Sequence, residues 1–342
     1  MKTLYLIALT VLTAVCAHAQ SAIDTVRLDC TGQPLPKIQH VIEMKVLADT
    51  LFFVYESEEG FGQRILQRAT IDKQNHRLVI GSEIGKRDDG YYVSYMPYPF
   101  VGADGKMHVV SQDDGGIYNL VHDSVLVRTK TGLFSIKAPM TMSQYAQDVY
   151  SILPNQYIFI GRKPKGGSQY VLSADMTVAK MDTIHRISIS PMLTAWMPNE
   201  GKMVYSGKYN RMAFAYRLHP IVEIFDTYGK LVKSVRIGED TFNPETLNEA
   251  DFEELNTLHT VDVAYTPNYM YALHWSCKYD EIQTASPTIY KIDWNGKVVN
   301  RYVCGFTPLY SVAALNDSQL IGWTGTEFIM LILSNNSLQI IN

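Results

Sequence analysis

Three acidic residues lie near the starts of three β-rich segments: Glu43, Asp148 and Asp262. If those segments are the inner strands of alternate units in a radial repeat, the three carboxylates approach one another at its centre. Such a cluster could hold a cation or perform acid/base catalysis. A register error of one residue would turn each side chain to the opposite face of its strand. The trio is therefore a catalytic candidate only if the register is right.

A second group of residues suits ligand binding. Aromatic side chains with polar tips are concentrated at 91–98, where Tyr92 and Tyr95 could stack on a sugar or grip a peptide. Packing between the first two units is the alternative, and we favour it. Arg162 lies in a Gly-rich segment that could bind an anion or form a solvated turn. The other candidates are polar or aromatic residues in later segments: Tyr209, Arg211, His274 and Trp275.

The sequence lacks the motifs of several large enzyme classes. It contains no GxSxG elbow, no HExxH motif and no GxxxxGK[ST] loop. His274 has no second ligand at a recognised spacing, so we predict a structural histidine, no metal site and no cofactor. With 30 Lys and Arg against 34 Asp and Glu, the net charge of −4 provides no general basic field, so we predict no nucleic-acid partner.

The first nineteen residues have the pattern of an export signal. Lys2 precedes an apolar run from Leu4 to Val15, and Ala17 and Ala19 form an A-x-A site before Gln20. The run is too short to span a bilayer, and no longer apolar run follows it. We therefore predict cleavage after residue 19, no transmembrane anchor and a mature domain of residues 20–342 in the periplasm or outside the cell.

The cysteines leave two questions open. Cys16 could instead be the lipidated residue of an anchored lipoprotein, although Val15 stands where such signals usually have a small residue. Cleavage after residue 19 would leave Cys30, Cys277 and Cys304, which have no metal-binding spacing. One disulfide with one free thiol, or three thiols packed as small hydrophobes, are both compatible with this number.

Two kinds of hairpin turn alternate six times along the chain, which is typical of a repeat architecture. The first kind lies at 47–50, 103–105, 154–155, 198–201, 267–268 and 316–317, and the second at 72–75, 122–124, 174–176, 226–229, 293–296 and 334–336. Each unit then holds four strands in about 54 residues. We predict an all-β, six-bladed β-propeller of four-stranded antiparallel blades. A sandwich or a large barrel is the alternative, but neither explains the alternation.

Two outer hairpins carry a family resemblance. In IFDTYGKLVKSVRIG (224–238) and YKIDWNGKVVNRYVCG (290–305), a strand ends in Asp, the turn carries Gly229 or Gly296, and Lys-Leu/Val-Val opens the next strand. Glycine suits such turns because they need a positive φ. These hairpins resemble the outer strands of six-bladed TolB-like propellers exported by Gram-negative bacteria. The resemblance implies a propeller fold over residues 22–342.

Two segments fall outside the repeat. A strand at 22–28 is extra to the six sets of four, and it could pair with the outer edge of the last blade or pack as an arm beside the first. The segment at about 243–258 is predicted to form one short helical insert, because Asn243 suits an N-cap, Pro244 suits the first turn, and Glu245 is favoured there by the helix dipole.

The loops between second and third strands share one face of a propeller with the connections between blades. Long segments expected there include 82–99, 206–220 and 274–287, which contain most of the binding candidates. Our leading interpretation is a non-enzymatic binding or scaffolding propeller that recognises a protein, peptide or glycan on this face. The alternative is a carbohydrate-active hydrolase or lyase that uses the channel carboxylates.

Overall fold

The computed structural model describes residues 23–35, 37–58, 62–112, 114–129, 132–133, 146–163, 167–238, 255–305 and 308–334. Within these residues the chain forms six sheets, each built mainly from an antiparallel meander. The first blade contains β3 to β6, and the second contains β7 to β10. Their bounds are β3 Ile38–Leu47, β4 Thr50–Ser57, β5 Arg64–Asp72, β6 Arg77–Ile84, β7 Pro97–Val101, β8 Met107–Ser111, β9 Ile117–Val121 and β10 Val125–Arg128.

The third, fourth and fifth blades repeat the same four-stranded order. The third consists of β11 Ala146–Leu153, β12 Gln156–Arg162, β13 Gln169–Asp175 and β14 Lys180–Ile187. The fourth consists of β15 Gly201–Ser206, β16 Arg211–Tyr216, β17 Ile221–Asp226 and β18 Leu231–Arg236. The fifth consists of β19 Leu258–Tyr265, β20 Tyr269–Cys277, β21 Thr288–Asp293 and β22 Val298–Val303.

The sixth blade joins the two ends of the described chain. It combines β23 Ser311–Asn316, β24 Gln319–Trp323 and β25 Phe328–Leu333 with β1 Ile23–Arg27. Strand β1 runs antiparallel to β25 and supplies the outer strand, which decides the choice that the sequence left open. Strand β2, Asp29–Gly32, then pairs in parallel with β6 as a fifth strand of the first blade. The N-terminal segment thus ties the last blade to the first.

The six sheets close into a ring around an axis. Each innermost strand contacts the innermost strand of the next blade, and β23 contacts β3. Six clusters of buried apolar side chains fill the spaces between neighbouring blades. In one of them Phe52 of the first blade packs with Val109 of the second. Since each blade buries both faces against its neighbours, the hydrophobic driving force is distributed around the ring. The predicted six-bladed propeller is confirmed.

The outer hairpin turns have the predicted geometry. Gly229 and Gly296 both adopt φ +83°, where a side chain would be strained. The carboxylate of Asp226 accepts hydrogen bonds at 3.0 Å from the backbone N–H groups of Tyr228 and Lys230, which fixes the turn around Gly229. The Asp-to-Gly spacing therefore reports a local backbone requirement.

Two details of the sequence prediction need correction. The one short helical insert is not confirmed: residues 243–254 lie outside the described residues, 255–257 are not helical, and Leu258 begins β19. The regular helical elements within the described residues are three 3-10 turns. In the fourth blade, the turn predicted at 198–201 is the connection from the third blade, and the first hairpin turn lies instead at 207–210. None of the helices in the described residues is long and apolar enough to cross a membrane.

Candidate functional site

Two cavities lie at opposite ends of the channel. The larger, of about 1050 Å³, is lined by the loops between second and third strands, including Gln112, Arg217 and Gln283. We call it the mouth cavity. The smaller, of about 680 Å³, is lined by hairpins between first and second strands, such as those at Leu47 and Pro267. We call it the lower cavity. The loop-rich face predicted from the sequence is the face of the mouth cavity.

The floor of the mouth cavity is built from one side chain of each innermost strand. Strands β3, β7, β11, β15, β19 and β23 enter from six directions, so one residue of each reaches the axis. We call this set the axial ring, and its members are Glu43, Tyr98, Asp148, Lys202, Asp262 and Ser311. All three carboxylates of the predicted trio belong to it. The structure therefore brings the trio together, as the repeat pattern required.

Lys202 connects two of these carboxylates. Its ammonium nitrogen lies 3.0 Å from Oε2 of Glu43 and 2.7 Å from Oδ1 of Asp262. The two carboxylate oxygens are consequently within about 6 Å of each other. The second oxygen of Glu43 is 2.8 Å from Nζ of Lys45, on the same strand. Glu43 is thus held between two lysines.

The other carboxylates are held by hydrogen bonds. Asp262 Oδ2 accepts hydrogen bonds from the Ser311 hydroxyl and from the backbone N–H of Val312, at 2.8 Å for the latter. Asp148 accepts a hydrogen bond from the Tyr98 hydroxyl at 3.0 Å and another from the backbone N–H of Met203 at 2.6 Å. Each carboxylate oxygen of the trio therefore has a donor already.

Irregular strand pairing in three inner strands determines the direction of the Glu43, Asp148 and Asp262 side chains. The register of β3 against β4 shifts between Val41 and Glu43, and that of β19 against β20 shifts between Thr260 and Asp262. In β11 the shift falls at Asp148, whose φ of +50° is unusual for a residue other than glycine. Because a bulge redirects side chains locally, these shifts decide which residues face the axis.

Burial and charge act differently on the two aspartates. Burial raises the pKa of Asp148 to about 6, and the nearby negative charge of Glu43 acts in the same direction. Burial would also raise the pKa of Asp262, but the positive charge of Lys202 and the hydrogen bonds from Lys202, Ser311 and Val312 lower it below its ordinary value. The protein environment therefore shifts the pKa values of the two aspartates in opposite directions.

The two lysines remain cations. Burial disfavours the charged form of Lys202, but Asp262 and Glu43 outweigh it and raise the pKa of Lys202. The same balance raises the pKa of Lys45, for which Glu43 is the main partner. The ammonium nitrogen of Lys45 also lies 5.6–5.7 Å from the ring centres of three tyrosines, the buried Tyr98 and Tyr150 and the half-buried Tyr265.

The walls of the mouth cavity differ from side to side. Blades five and six contribute aromatic rings, which we call the aromatic wall: Trp275, Tyr279, Tyr310 and Trp323. Blades one to four contribute the polar wall: Arg64, Gln112, Gln147, Glu200 and Arg217. A concave site with apolar rings on one side and convergent polar groups on the other has the composition of a small-molecule or chain-end binding site.

Several predicted binding residues lie at or beside this cavity. Trp275 lines it, and its indole N–H donates a hydrogen bond to the Leu309 carbonyl at 2.8 Å. Tyr95 is exposed at the rim, where its carbonyl accepts a hydrogen bond from the backbone N–H of Arg64 at 3.3 Å. Arg162 stands behind the polar wall and donates a hydrogen bond to Oε1 of Gln147 at 2.9 Å.

Other predicted residues are placed elsewhere. The Tyr92 hydroxyl donates to Glu83 at 2.7 Å in the connection between the first two blades, and His274 is buried beside His259, with 5.4 Å between ring centres. Tyr209 lies in the turn at 207–210, and Arg211 begins β16. Tyr209 and Arg211 therefore lie on the face opposite the mouth cavity. The sequence-based prediction placed them on the mouth face because it shifted the strands of the fourth blade by one.

Some residues of the site were missed. Lys202 is the second residue of the inner strand of blade four, and Ser311 is the first residue of the inner strand of blade six. Both positions correspond to those of Glu43 and Asp262 in their own blades. An alignment of the six units with the correct strand assignment would have found both. Arg64 and Tyr310 carry no comparable signal, since each lies where a loop meets a strand.

Cys30 is exposed, whereas Cys277 and Cys304 are buried, and all three are free thiols. Cys16 lies outside the described residues. Within the part of the chain that the structure describes, no group of three or more His, Cys, Asp or Glu side chains is arranged to hold a metal ion.

Comparison with solved structures supports the fold. A member of the DUF4221 family from Bacteroides vulgatus is similar with a TM-score of 0.58 and 10% identity, over 92% of this chain and 99% of that one. A protein of unknown function from Bacteroides thetaiotaomicron has a TM-score of 0.51 and 8% identity, over 92% and 77%. A streptogramin B lyase has a TM-score of 0.48 and 12% identity, over 91% and 98%.

The likeness to the two Bacteroides proteins supports the fold and nothing finer, because their sequence identities to this chain are only 10% and 8%. No family model matches the chain, and no curated protein matches it either. Membership of the TolB-like family is therefore not confirmed.

Proposed function

We propose that the protein is a non-enzymatic binding propeller whose ligand, a glycan, peptide or protein segment, enters the mouth cavity. The observation that supports this most directly is the contrast between the floor and the walls. The carboxylates of the axial ring are engaged by lysines and hydrogen bonds, whereas the aromatic and polar walls border about 1050 Å³ of space.

The floor is better suited to holding the blades together than to catalysis. General acid/base catalysis needs a carboxyl group that can reach the substrate and exchange a proton with it. Glu43 and Asp262 are paired with the same ammonium group, and both residues are at least 95% buried. Breaking either pair to engage a substrate would leave a buried charge without its partner, which is costly.

The site of binding is proposed to lie outside the cytoplasm. The first nineteen residues, which lie outside the described residues, support export and cleavage before Gln20. Lipidation at Cys16 is the alternative, and it would anchor the same propeller to a membrane. Mass spectrometry of the protein purified from its native envelope distinguishes the two by the N-terminal residue.

The experiment for the binding function is capture from the native envelope, combined with direct titration of glycans and peptides. The Tyr279→Ala variant removes an exposed ring from the aromatic wall, and Tyr228→Ala removes an exposed ring from the hairpin between β17 and β18, on the opposite face. We expect a captured ligand to bind the wild type and Tyr228→Ala equally and Tyr279→Ala more weakly. Equal binding to all three would contradict a site at the mouth cavity.

A second candidate function is a carbohydrate-active hydrolase or lyase. Two observations favour it: the oxygens of Glu43 and Asp262 lie within about 6 Å, in the range of two-carboxylate glycoside mechanisms, and burial raises the pKa of Asp148 to about 6. Mass spectrometry of glycans incubated with the protein tests it. Products formed by the wild type but not by Asp148→Asn would establish catalysis and displace the binding function.

A further inference from the structure

We infer that the ligand of the mouth cavity is a short neutral oligosaccharide, or the end of a neutral polysaccharide chain. This inference depends on the proposed binding function and names the chemistry of its ligand. It rests on three features of the described residues: the shape of the aromatic wall, the donors of the polar wall and the internal compensation of charge. The closed floor of the mouth cavity also limits the length of ligand that can enter.

Two rings of the aromatic wall, those of Trp275 and Tyr310, lie in different planes. The rings of Trp275 and Tyr310 meet nearly edge to face, with centres 5.5 Å apart and planes at 79°. The Tyr310 hydroxyl accepts a hydrogen bond from Nε2 of Gln283 at 2.7 Å, which fixes the ring at the edge of the cavity. Tyr279 is 45% exposed and extends the wall toward the rim. Such rings pack against the apolar C–H faces of sugar rings, while their polar tips stay hydrated or hydrogen-bonded.

The polar wall presents prearranged donors. Arg64 donates from Nε to Glu56 at 3.2 Å and from Nη1 to Gln112 at 3.0 Å. These contacts use two of the five N–H donors of the guanidinium group and hold its plane in place. Gln147 is fixed in the same way by Arg162. The planar guanidinium group of Arg64 and the oriented side-chain amides of Gln112 and Gln147 can bind pairs of adjacent hydroxyl groups on a sugar ring.

The charges that line the mouth cavity compensate one another. The cationic residues are Arg27, Arg64, Lys202 and Arg217, and the acidic residues are Glu43, Asp148, Glu200, Asp262 and Glu327. Arg27 pairs with Glu327 at 2.9 Å, Lys202 with Glu43 and Asp262, and Arg64 with Glu56. A strongly acidic or basic ligand would find little net charge of the opposite sign, whereas an uncharged, hydroxyl-rich ligand keeps these pairs intact.

The closed floor limits what can enter. Since the axial ring fills the centre, an extended chain cannot thread the channel from one face to the other. The ligand must end within the mouth cavity, and about 1050 Å³ is the upper end of the range for small-molecule sites. A few sugar rings satisfy this limit, as does the terminus of a longer glycan.

The test is titration of the purified protein by calorimetry against malto-, cello-, xylo-, manno- and chitohexaose, supported by an array of neutral, sulfated and uronic-acid glycans. A panel of uncharged hexapeptides is the comparison set. We expect at least one neutral glycan to bind, with an affinity that changes less than twofold between 50 and 500 mM NaCl, because no ionic attraction contributes.

Two variants locate the binding. We expect Tyr279→Ala to weaken it at least threefold, and Arg64→Lys, which keeps the charge but loses the planar fork, to weaken it at least fivefold. Tyr228→Ala, the matched exposed tyrosine on the opposite face, should change it less than 1.5-fold.

The outcomes separate the two proposals. Binding of hexapeptides or of charged glycans in preference to every neutral glycan would overturn this inference and leave the binding function standing. Neutral-glycan binding that survives both Tyr279→Ala and Arg64→Lys would also overturn it, because the ligand would then lie elsewhere. If no glycan, no peptide and no envelope component binds, both proposals fail.

Discussion

Replacing Lys202 by methionine should destabilise the whole propeller, because the side chain connects three blades through its own strand and two carboxylates. Methionine keeps most of the apolar stem and removes the ammonium group, which leaves Glu43 with Lys45 alone and Asp262 without its nearest cation. Removing one partner of a buried ion pair costs about 3–5 kcal/mol. For a folded chain of roughly 300 residues, with an unfolding entropy of about 2 cal/mol/K per residue, that corresponds to a melting temperature about 5–8 °C lower.

The measurement is thermal and urea unfolding, compared with Lys208→Met, which removes an exposed lysine of the same blade and should change stability by no more than about 0.5 kcal/mol. The double variant Lys202→Met with Asp262→Asn should recover part of the loss, since it removes the uncompensated anion. The loss in Lys202→Met should also be smaller at pH 5 than at pH 8, because the pKa of Asp148 is about 6 and its attraction to Lys202 is largely absent once Asp148 is protonated. If Lys202→Met melts within 1 °C of Lys208→Met, the axial ring does not hold the blades together.

Three further perturbations test the buried groups and a turn. Burial raises the pKa of Asp148 to about 6, so the stability that this group contributes is fully present below pH 4 and falls by about 3 kcal/mol as the pH rises from 4 to 6. In urea unfolding at different pH values, Asp148→Asn should lack this fall. Parallel pH profiles for the wild type and the variant would refute the prediction. Burial lowers the pKa of His219 to about 4, so its contribution is present above pH 6.5 and is lost as the pH falls toward 4. His219→Gln should therefore lose less stability than the wild type over that range, and an equal loss would contradict the assignment. Gly229→Ala should lower the free energy of unfolding at least twice as much as Gly90→Ala. Both glycines have a φ above +80°, but only a Cβ at Gly229 would overlap a backbone carbonyl, that of Ile184. Equal losses would show that the turn at Gly229 relaxes.

The fold could be predicted because its strongest signals are local. A hairpin turn with φ +83° at Gly229 and Gly296 needs glycine whatever surrounds it. The carboxylate of the preceding aspartate, Asp226 or Asp293, accepts a hydrogen bond from a backbone N–H group of the turn. Two such turn types alternating along the chain require a meander of four strands per unit. Ring closure by β1 is a different kind of feature, because it depends on two segments about 300 residues apart.

The candidate site was only partly predictable, and the reason is register. Glu43, Asp148 and Asp262 were chosen by their place in the repeat, but whether they face the axis depends on bulges in β3, β11 and β19. A bulge leaves little trace in a single sequence, since it needs no particular residue type. Asp148 illustrates this, because it adopts φ +50° without being a glycine.

The fourth blade shows how a single wrong assignment propagates. Its connection at 198–201 contains Pro, Asn and Gly, which also suit a hairpin turn, and the true turn at 207–210 contains Gly207 and Asn210. Choosing the first moved Tyr209 and Arg211 to the wrong face and hid Lys202 among the residues of a second strand. Turn chemistry alone could not separate the two, since both segments do form turns.

In the proposed binding function, the axial ring leaves the selection of a ligand to the walls of the mouth cavity. Six inner strands place one side chain each at the axis, and apolar side chains alone would have to fill that space without specifying which blade stands where. Around the axis three carboxylates alternate with three donors, the Tyr98 hydroxyl, the Lys202 ammonium group and the Ser311 hydroxyl. A misplaced blade would therefore leave a buried charge without a partner. Because these groups are satisfied within the protein, they form a fixed floor. Under the proposed binding function, the ligand is then recognised by the aromatic and polar walls above this floor.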